Sequence, residues 1–255
     1  MFIKGPIMIK QPVAFLVALL LSAVAHAAEV KVLSAGAVKA AVSQLIPEFE
    51  KASGHKVSIT YGSAGTLRAA LNKGDRADVL ILPMEGFDEA IKQGWVPAGK
   101  QAALASVGIG VVVKAGAKRP DISSPEALKQ SLLAAKSIAY MDPTRGTSGK
   151  IFDAALHDMG IYDAVRGKTK LQTDGSVADM VAGGEVEMGI QQISELLAVP
   201  GVTMIGPLPA PIQKLTTYGV SPMSDAKSAA AGGQFIDFLF SPQAKAMFQA
   251  KGFGG

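Results

Sequence analysis

The feature that most constrains this chain is an alternation. From Glu29 onward, short β-branched runs take turns with stripes of helical period, joined by small turns rich in glycine and hydroxyl residues. Val30 to Ser34 reads as a strand. Val38, Ala41, Val42, Leu45, Ile46 and Phe49 then recur at helical spacing up to Gly54, and Pro47 predicts a kink or broken turn inside that stripe. Strands are expected at Lys56 to Thr60 and Asp78 to Leu82, with helices over Thr66 to Asn72 and Glu85 to Gln93. A long strand over Ser106 to Lys114 follows, and then the alternation restarts. A helix begins at Pro125 with Ser124 as its cap, followed by strand Ser137 to Met141, helix Ser148 to Asp158 and a strand near Lys170 to Thr173. Helix Val177 to Ala182, strands Glu187 to Gln191 and Val202 to Ile205, and a return strand Leu215 to Val220 complete the block. Two helices close the chain, one through Phe235 to Phe240 and one opening at Ser241-Pro242.

Such βαβ alternation predicts an α/β fold of mostly parallel sheets with helices on both faces. Its restart predicts two lobes with a ligand cleft between them. Lobe 1 is expected over residues 28–105 plus 221–255 and lobe 2 over 106–220, crossing strands included. Hinges are expected near Ser106 to Gly110 and Leu215 to Gly219, closing the lobes around a small anion.

Composition removes several function classes. With 49% hydrophobic and 18% charged residues the chain can bury a core and is not disordered. Without cysteine it is neither a disulfide scaffold nor a thiol enzyme nor a thiolate zinc site. The first 27 residues read as a cleavable signal peptide. Lys4 and Lys10 form the basic region, Val13 to Ala25 the apolar run, and Ala25-His26-Ala27 the small-x-small cleavage site. Met8 serves equally as a start, since Lys10 would remain basic. The apolar run is shorter than the roughly 20 residues that span a bilayer. The mature protein, from Ala28 or Glu29, is therefore expected to be soluble and periplasmic, without membrane insertion. Removing Lys4 and Lys10 from the 25 Lys+Arg leaves 23 against 21 Asp+Glu, a net charge of +2. That is too weak and scattered to predict a nucleic-acid partner.

The candidate chemistry lies where strands end. Ser34-Ala35-Gly36-Ala37, Gly62-Ser63-Ala64-Gly65-Thr66, the loop Asp142 to Gly149 and Asp174-Gly175-Ser176 each feed straight into a helix. At the carboxyl ends of parallel strands such turns face the ligand, and a helix N-terminus offers free N–H groups to an anion. Capping explains any one of them; four, two per lobe, predict a shared anion site. Candidate ligand contacts are Ser34, Gly36, Ala37, Ser63, Ala64, Thr66, Arg145, Thr147, Ser148, Ser176, Gln191 and Gln192. Arg145 can fork onto a carboxylate or phosphate, against the alternative of a solvated loop charge. Lys39 and Lys150 sit in first helical turns, where cations oppose the helix dipole. Gly149-Lys150 fails as a phosphate-binding loop because Thr144 stands where glycine belongs and Ile151 follows the lysine. Tyr61 likewise breaks a nucleophile elbow at Ser63. His55 and His157 lack carboxylates at triad or metal spacing, so no metal and no cofactor is expected, and hydrolase and metalloenzyme readings fall away.

Val32-Leu-Ser-Ala-Gly-Ala-Val-Lys-Ala-Ala41, Gly62-Ser-Ala-Gly-Thr-Leu67, Ala77-Asp-Val-Leu-Ile81, Asp142-Pro143, Met188-Gly-Ile190 and Ser241-Pro-Gln-Ala244 run in one order along the chain. In these segments it resembles the type II periplasmic solute-binding proteins, and among them the molybdate-binding component of ABC importers. The resemblance implies a monomer that presents its ligand to an importer's membrane component. It also implies oxoanion donors at Ala37, Ala64 and Gln192, with amides near Ser148 and Asp174. All three side-chain positions lack the family's hydroxyl, with Ser63 or Ser34 as substitutes, which favours an organic di- or tricarboxylate over molybdate. Ser-Ala-Gly-Ala-Val-Lys near the start and Gln-Gln-Ile-Ser-Glu after a Gly-Ile strand also resemble bacterial aconitate isomerase. That resemblance implies a 1,3-proton shift between cis- and trans-aconitate, for which the sequence offers Lys39, Lys150 or Asp174 as acid or base. Receptor and isomerase both stand at this point.

Overall fold

The computed structural model describes residues 27–254, so the signal-peptide segment, up to its last residue, lies outside the described residues. Two five-stranded sheets, each flanked by helices on both faces, form two lobes. The first sheet has the order β2-β1-β3-β10-β4, from β1 (Glu29–Ala35), β2 (Lys56–Gly62), β3 (Val79–Pro83), β4 (Ala102–Val107) and β10 (Thr216–Pro222). The second has the order β7-β6-β8-β5-β9, from β5 (Ile109–Lys114), β6 (Ile138–Met141), β7 (Thr169–Gln172), β8 (Met188–Gln192) and β9 (Val202–Pro207). Both sheets are mixed. Strands β1, β2 and β3 run parallel, as do β6, β7 and β8, while β10 and β4 in the first sheet and β5 and β9 in the second join antiparallel.

The alternation of side chains along the strands explains the layering. Val30 and Val32 of β1 point into one cluster with Phe49, Phe235 and Phe248, whereas Leu33 points through the sheet to Leu67, Leu80 and Phe87. The second sheet separates its own two clusters in the same way, Val111 and Ile190 on one face, Val112 and Ala139 on the other.

Two expectations change in detail. The first helix, α1 (Lys39–Ser53), runs unbroken through Pro47. Pro47 is exposed, so the backbone bond that proline forfeits lies on the solvent side, where water replaces it. The single strand expected over Ser106 to Lys114 is two strands, β4 and β5, in different sheets, separated at Gly108. There the Gln213 amide brackets Ile109, accepting from its N–H at 2.9 Å and donating to its carbonyl at 2.7 Å. The break thus carries its own hydrogen bonds and marks one crossing between lobes. Of the elements near the cleft, α2 is Ala64–Asn72, α3 Phe87–Lys92, α4 Pro125–Ala134 and α5 Thr147–Asp158. Two short helices, α6 (Tyr162–Arg166) and α8 (Ile193–Leu196), show no periodicity in the sequence because each is little more than one turn. Between them lies α7 (Val177–Ala182), and α9 (Ala229–Leu239) and α10 (Pro242–Ala250) end the chain.

Gly149 shows how tightly α5 seats on β6. A side chain there would collide with the Met141 carbonyl, so the helix start packs on bare backbone. Gly149→Ala is expected to cost about 1–3 kcal/mol of stability, the range for overpacking, read as a lowered denaturant midpoint at unchanged slope.

Candidate functional site

Because β1, β2 and β3 run parallel, as do β6 and β8, their carboxyl ends fall together at the interlobe cleft. The residue preceding each following helical segment lines that cleft: Ala35, Ser63, Pro83, Gly146 and Gln192. Only Ser63 caps its helix with its side chain, accepting from Thr66 N–H at 3.1 Å. The other four make no side-chain cap; Ile193 N–H, after Gln192, donates to the Gly108 carbonyl at 3.0 Å, and the remaining N–H groups of those first turns are left to a ligand. In this conformation the cleft leaves about 30 Å³ between its walls, room for one or two water molecules.

Its lining includes Gly36, Ala37, Ser63, Ala64, Thr147, Ser148, Gln191 and Gln192. Other residues singled out in the sequence lie outside that lining. Ser34 is buried and donates to the Ala35 carbonyl at 3.2 Å. Thr66 bonds Ser63, and Arg145 at the exposed rim reaches back across the lobes to Thr66 Oγ1 at 3.4 Å. The lobes also meet there through Gly65 N–H, which donates to the Arg145 carbonyl at 3.0 Å. Ser176 caps α7, accepting from Ala178 N–H, and its hydroxyl lies 3.4 Å from the Glu195 carbonyl. Lys39 is exposed, with Nζ 5.7 Å from the centre of the Tyr61 ring. Lys150 is exposed and lines two outer hollows that adjoin the cleft at Thr147. Asp174 is exposed in the turn before α7, where it accepts from Gly175 N–H.

The two strand-end amides have different tasks. Gln191 brackets a turn: its oxygen accepts from Val177 N–H at 2.7 Å and its nitrogen donates to the Gly175 carbonyl at 3.0 Å, while its amide also bonds the Glu195 carboxyl. It ties the Asp174–Ser176 turn to β8. Gln192 donates across the lobes to Thr216 Oγ1 at 2.9 Å, and its own buried oxygen has no partner.

Two lining residues with ionisable side chains went unnoticed in the sequence, Glu195 and Tyr218. Glu195 sits on α8, and a side chain on Gly36 in the opposite lobe would meet its Oε1 at 3.2 Å. Burial pushes its carboxyl up to about 8, Asp174 pushes the same way, and Gln191 opposes them. Tyr218 is only 4% exposed, and burial followed by the charge of Glu195 raises its hydroxyl well above the ordinary tyrosine range. A four-residue helix has no periodicity to reveal it, and Tyr218 reads as an ordinary strand residue. The only signal for Glu195 was its place in the Gln-Gln-Ile-Ser-Glu run.

The cleft thus combines first-turn amides, one carboxyl titrating near neutrality and one neutral phenol. Among the described residues, no group of His, Cys, Asp and Glu is placed to hold a metal, and no helix is long and apolar enough to cross a membrane. The profile of the bacterial extracellular solute-binding proteins matches residues 30–254. The chain belongs to this family. It is 31% identical over 227 residues to an aconitate isomerase from Pseudomonas sp., covering 87% of this chain and 86% of that protein. It is 28% identical over 246 residues to the molybdate-binding protein ModA of Azotobacter vinelandii, covering 92% and 93%. The solved Azotobacter vinelandii periplasmic molybdate-binding protein superposes with a TM-score of 0.75 at 20% identity, covering 89% of this chain and 99% of that one. The family accounts for the two-lobe fold.

The raised Glu195 carboxyl has a consequence for stability. In the unfolded chain a glutamate ionises near 4.5, so between about pH 4.5 and 8 the folded protein holds a proton that the unfolded chain has lost. This contribution makes stability fall as pH rises through that window and level off above it. Glu195→Gln is expected to flatten the fall and raise the thermal midpoint at pH 8–9, measured by calorimetry across the range.

Proposed function

We propose that this protein binds a small di- or tricarboxylate of the aconitate type between its lobes and isomerises it by a 1,3-proton shift. The observation that carries this reading is the Glu195 carboxyl, on α8 in the second lobe and against Gly36 of the first, within a cleft of unused helix amides. A general acid–base group works best with its pKa near the working pH, and burial pushes the Glu195 carboxyl up to about 8. As a carboxylate it removes a proton from the substrate methylene. The C–H electron pair becomes the new C=C bond, and negative charge spreads into the conjugated carboxylate. The protonated Glu195 then returns the proton to the former vinylic carbon, moving the double bond by one position. The N–H groups of the first helical turns hold the carboxylates, and Arg145 at the rim favours approach of an anion. Lys39, Lys150 and Asp174, outside the cleft lining, act in this reading only through the local field. Sequence similarity to an aconitate isomerase along most of both chains supports the substrate class. Export to the periplasm by the signal-peptide-like segment belongs to the same reading.

A second reading has its own support. Membership of the solute-binding family and the full-length similarity to ModA favour a receptor that hands a small anion to an importer's membrane component. A receptor needs only a difference in affinity between open and closed lobes.

Proton NMR of trans-aconitate in D₂O with catalytic protein separates the two. Cis-aconitate is the expected result, with deuterium entering only to the extent that the proton held by Glu195 exchanges with solvent during turnover. Line broadening without turnover favours the receptor, and an unchanged spectrum overturns the carboxylate ligand. The rate is expected to rise with pH and level off above about 8, because the ionised carboxyl is the base. Glu195→Gln should lower turnover by about 10²–10⁴-fold, the usual contribution of a positioned acid–base group, while retaining binding.

A further inference from the structure

The first lobe's share of the cleft lining is almost without side-chain donors. Apart from Tyr218 it consists of alanine, glycine and proline residues and Ser63, whose hydroxyl is engaged with Thr66. We propose that Tyr218, delivered by the returning crossing strand β10, is the hydrogen-bond donor that holds the reacting carboxylate of the ligand. This rests on the isomerase reading above and assigns the stabiliser of its charged intermediate.

Four features of the fold fix Tyr218 in that place. The pairing of β10 with β4 shifts register between Tyr218 and Gly219, a bulge of the kind that re-aims a side chain. Gly219 leaves β10 no slack, because a side chain there would collide with Met84 and press on Phe87. The ring is buttressed edge-on by Phe253, with centroids 6.4 Å apart, and Phe253 is itself buried beside the Gly254–Ser106 bridge. Two residues earlier on the same side of β10, Thr216 accepts from Gln192, and the Gln192 amide adjoins the Tyr218 hydroxyl. The phenol stays neutral across the working pH, since burial and the nearby Glu195 both oppose its ionisation.

In the reaction, Glu195 takes the methylene proton and charge accumulates on the conjugated carboxylate oxygen. The Tyr218 O–H donates to that oxygen, and the bond strengthens as the charge develops. Tyr218 keeps its proton throughout. Glu195 returns the abstracted proton at the other allylic carbon, so nothing else is consumed.

The test is Tyr218→Phe in the full chain, with turnover of trans-aconitate followed by NMR. The expected result is a kcat lower by about 10²–10³-fold, the cost of one lost oxyanion donor, with KM within about threefold and the pH break near 8 retained. A kcat within threefold of the parent overturns the proposal. If the parent binds aconitate without turnover, the isomerase reading fails, and Tyr218 is then tested by affinity. A tenfold weaker Kd in the variant supports the donor role, and an unchanged Kd overturns it. A parent that neither binds nor turns over aconitate overturns both. Should the variant fail to fold, ¹³Cζ-tyrosine labelling of the parent decides the matter, because the chain has four tyrosines. A Tyr218 resonance that moves on saturation with aconitate supports the proposal, and one that stays in place overturns it.

Discussion

The antiparallel crossings govern everything else in this structure. A purely parallel sheet in each lobe would leave the two lobes linked by whatever loops happened to join them. Instead, the chain leaves the first sheet from its edge strand β4, re-enters it as β10 between β3 and β4, and enters the second sheet as β5 beside β8. The parallel strands of both sheets thereby turn their carboxyl ends toward one another. The bracket that Gln213 places on Ile109 supplies hydrogen bonds at the break, where a sheet ladder cannot continue. Gln192 and Thr216 add a second polar tie between the lobes.

From that arrangement the chemistry of the cleft follows. Helix starts that would elsewhere be capped by Ser, Thr or Asp are here preceded by Ala35, Pro83, Gly146 and Gln192, none of which caps with its side chain. The fold forgoes a stabilisation of about 1 kcal/mol at ends preceded by Ala, Pro or Gln, and only a few tenths at Gly146, and gains free N–H donors in exchange. Into this donor-rich space it puts one carboxyl, Glu195, held without a facing cation in the lining and therefore reluctant to ionise. A carboxyl in that state repels an anionic ligand less than an ionised one, and once it has lost its proton it is a stronger base than an ordinary glutamate.

How much of this was legible in the sequence depends on the length of each element. The helix starting at Pro125 carried both a Ser cap and a proline in its first turn, and in the structure Ser124 caps it with Pro125 as its first residue. The turns after β1, β2, β6 and β7 were visible through their glycine and hydroxyl content. Helix α8 was not, because four residues cannot display a period, and with it Glu195 escaped notice. Gln191, expected as a ligand contact, lines the cleft and also brackets the Asp174–Ser176 turn through both ends of its amide. A side chain's partners are tertiary facts, and no spacing along the chain encodes them.

The sequence by itself determined the α/β class, the two-lobe plan and the strand-end turns that face the cleft. Each of these depends on local periodicity and on the chemistry of neighbouring residues. Only the tertiary structure decided that Ser106 to Lys114 is two strands in two sheets, because the change of partner at Gly108 depends on Gln213, about a hundred residues away in the chain. Only the tertiary structure brought Glu195 against Gly36 and Tyr218 into the same cleft. Burial raises the ionisation points of both, and burial is a property of the packed chain rather than of any segment of it.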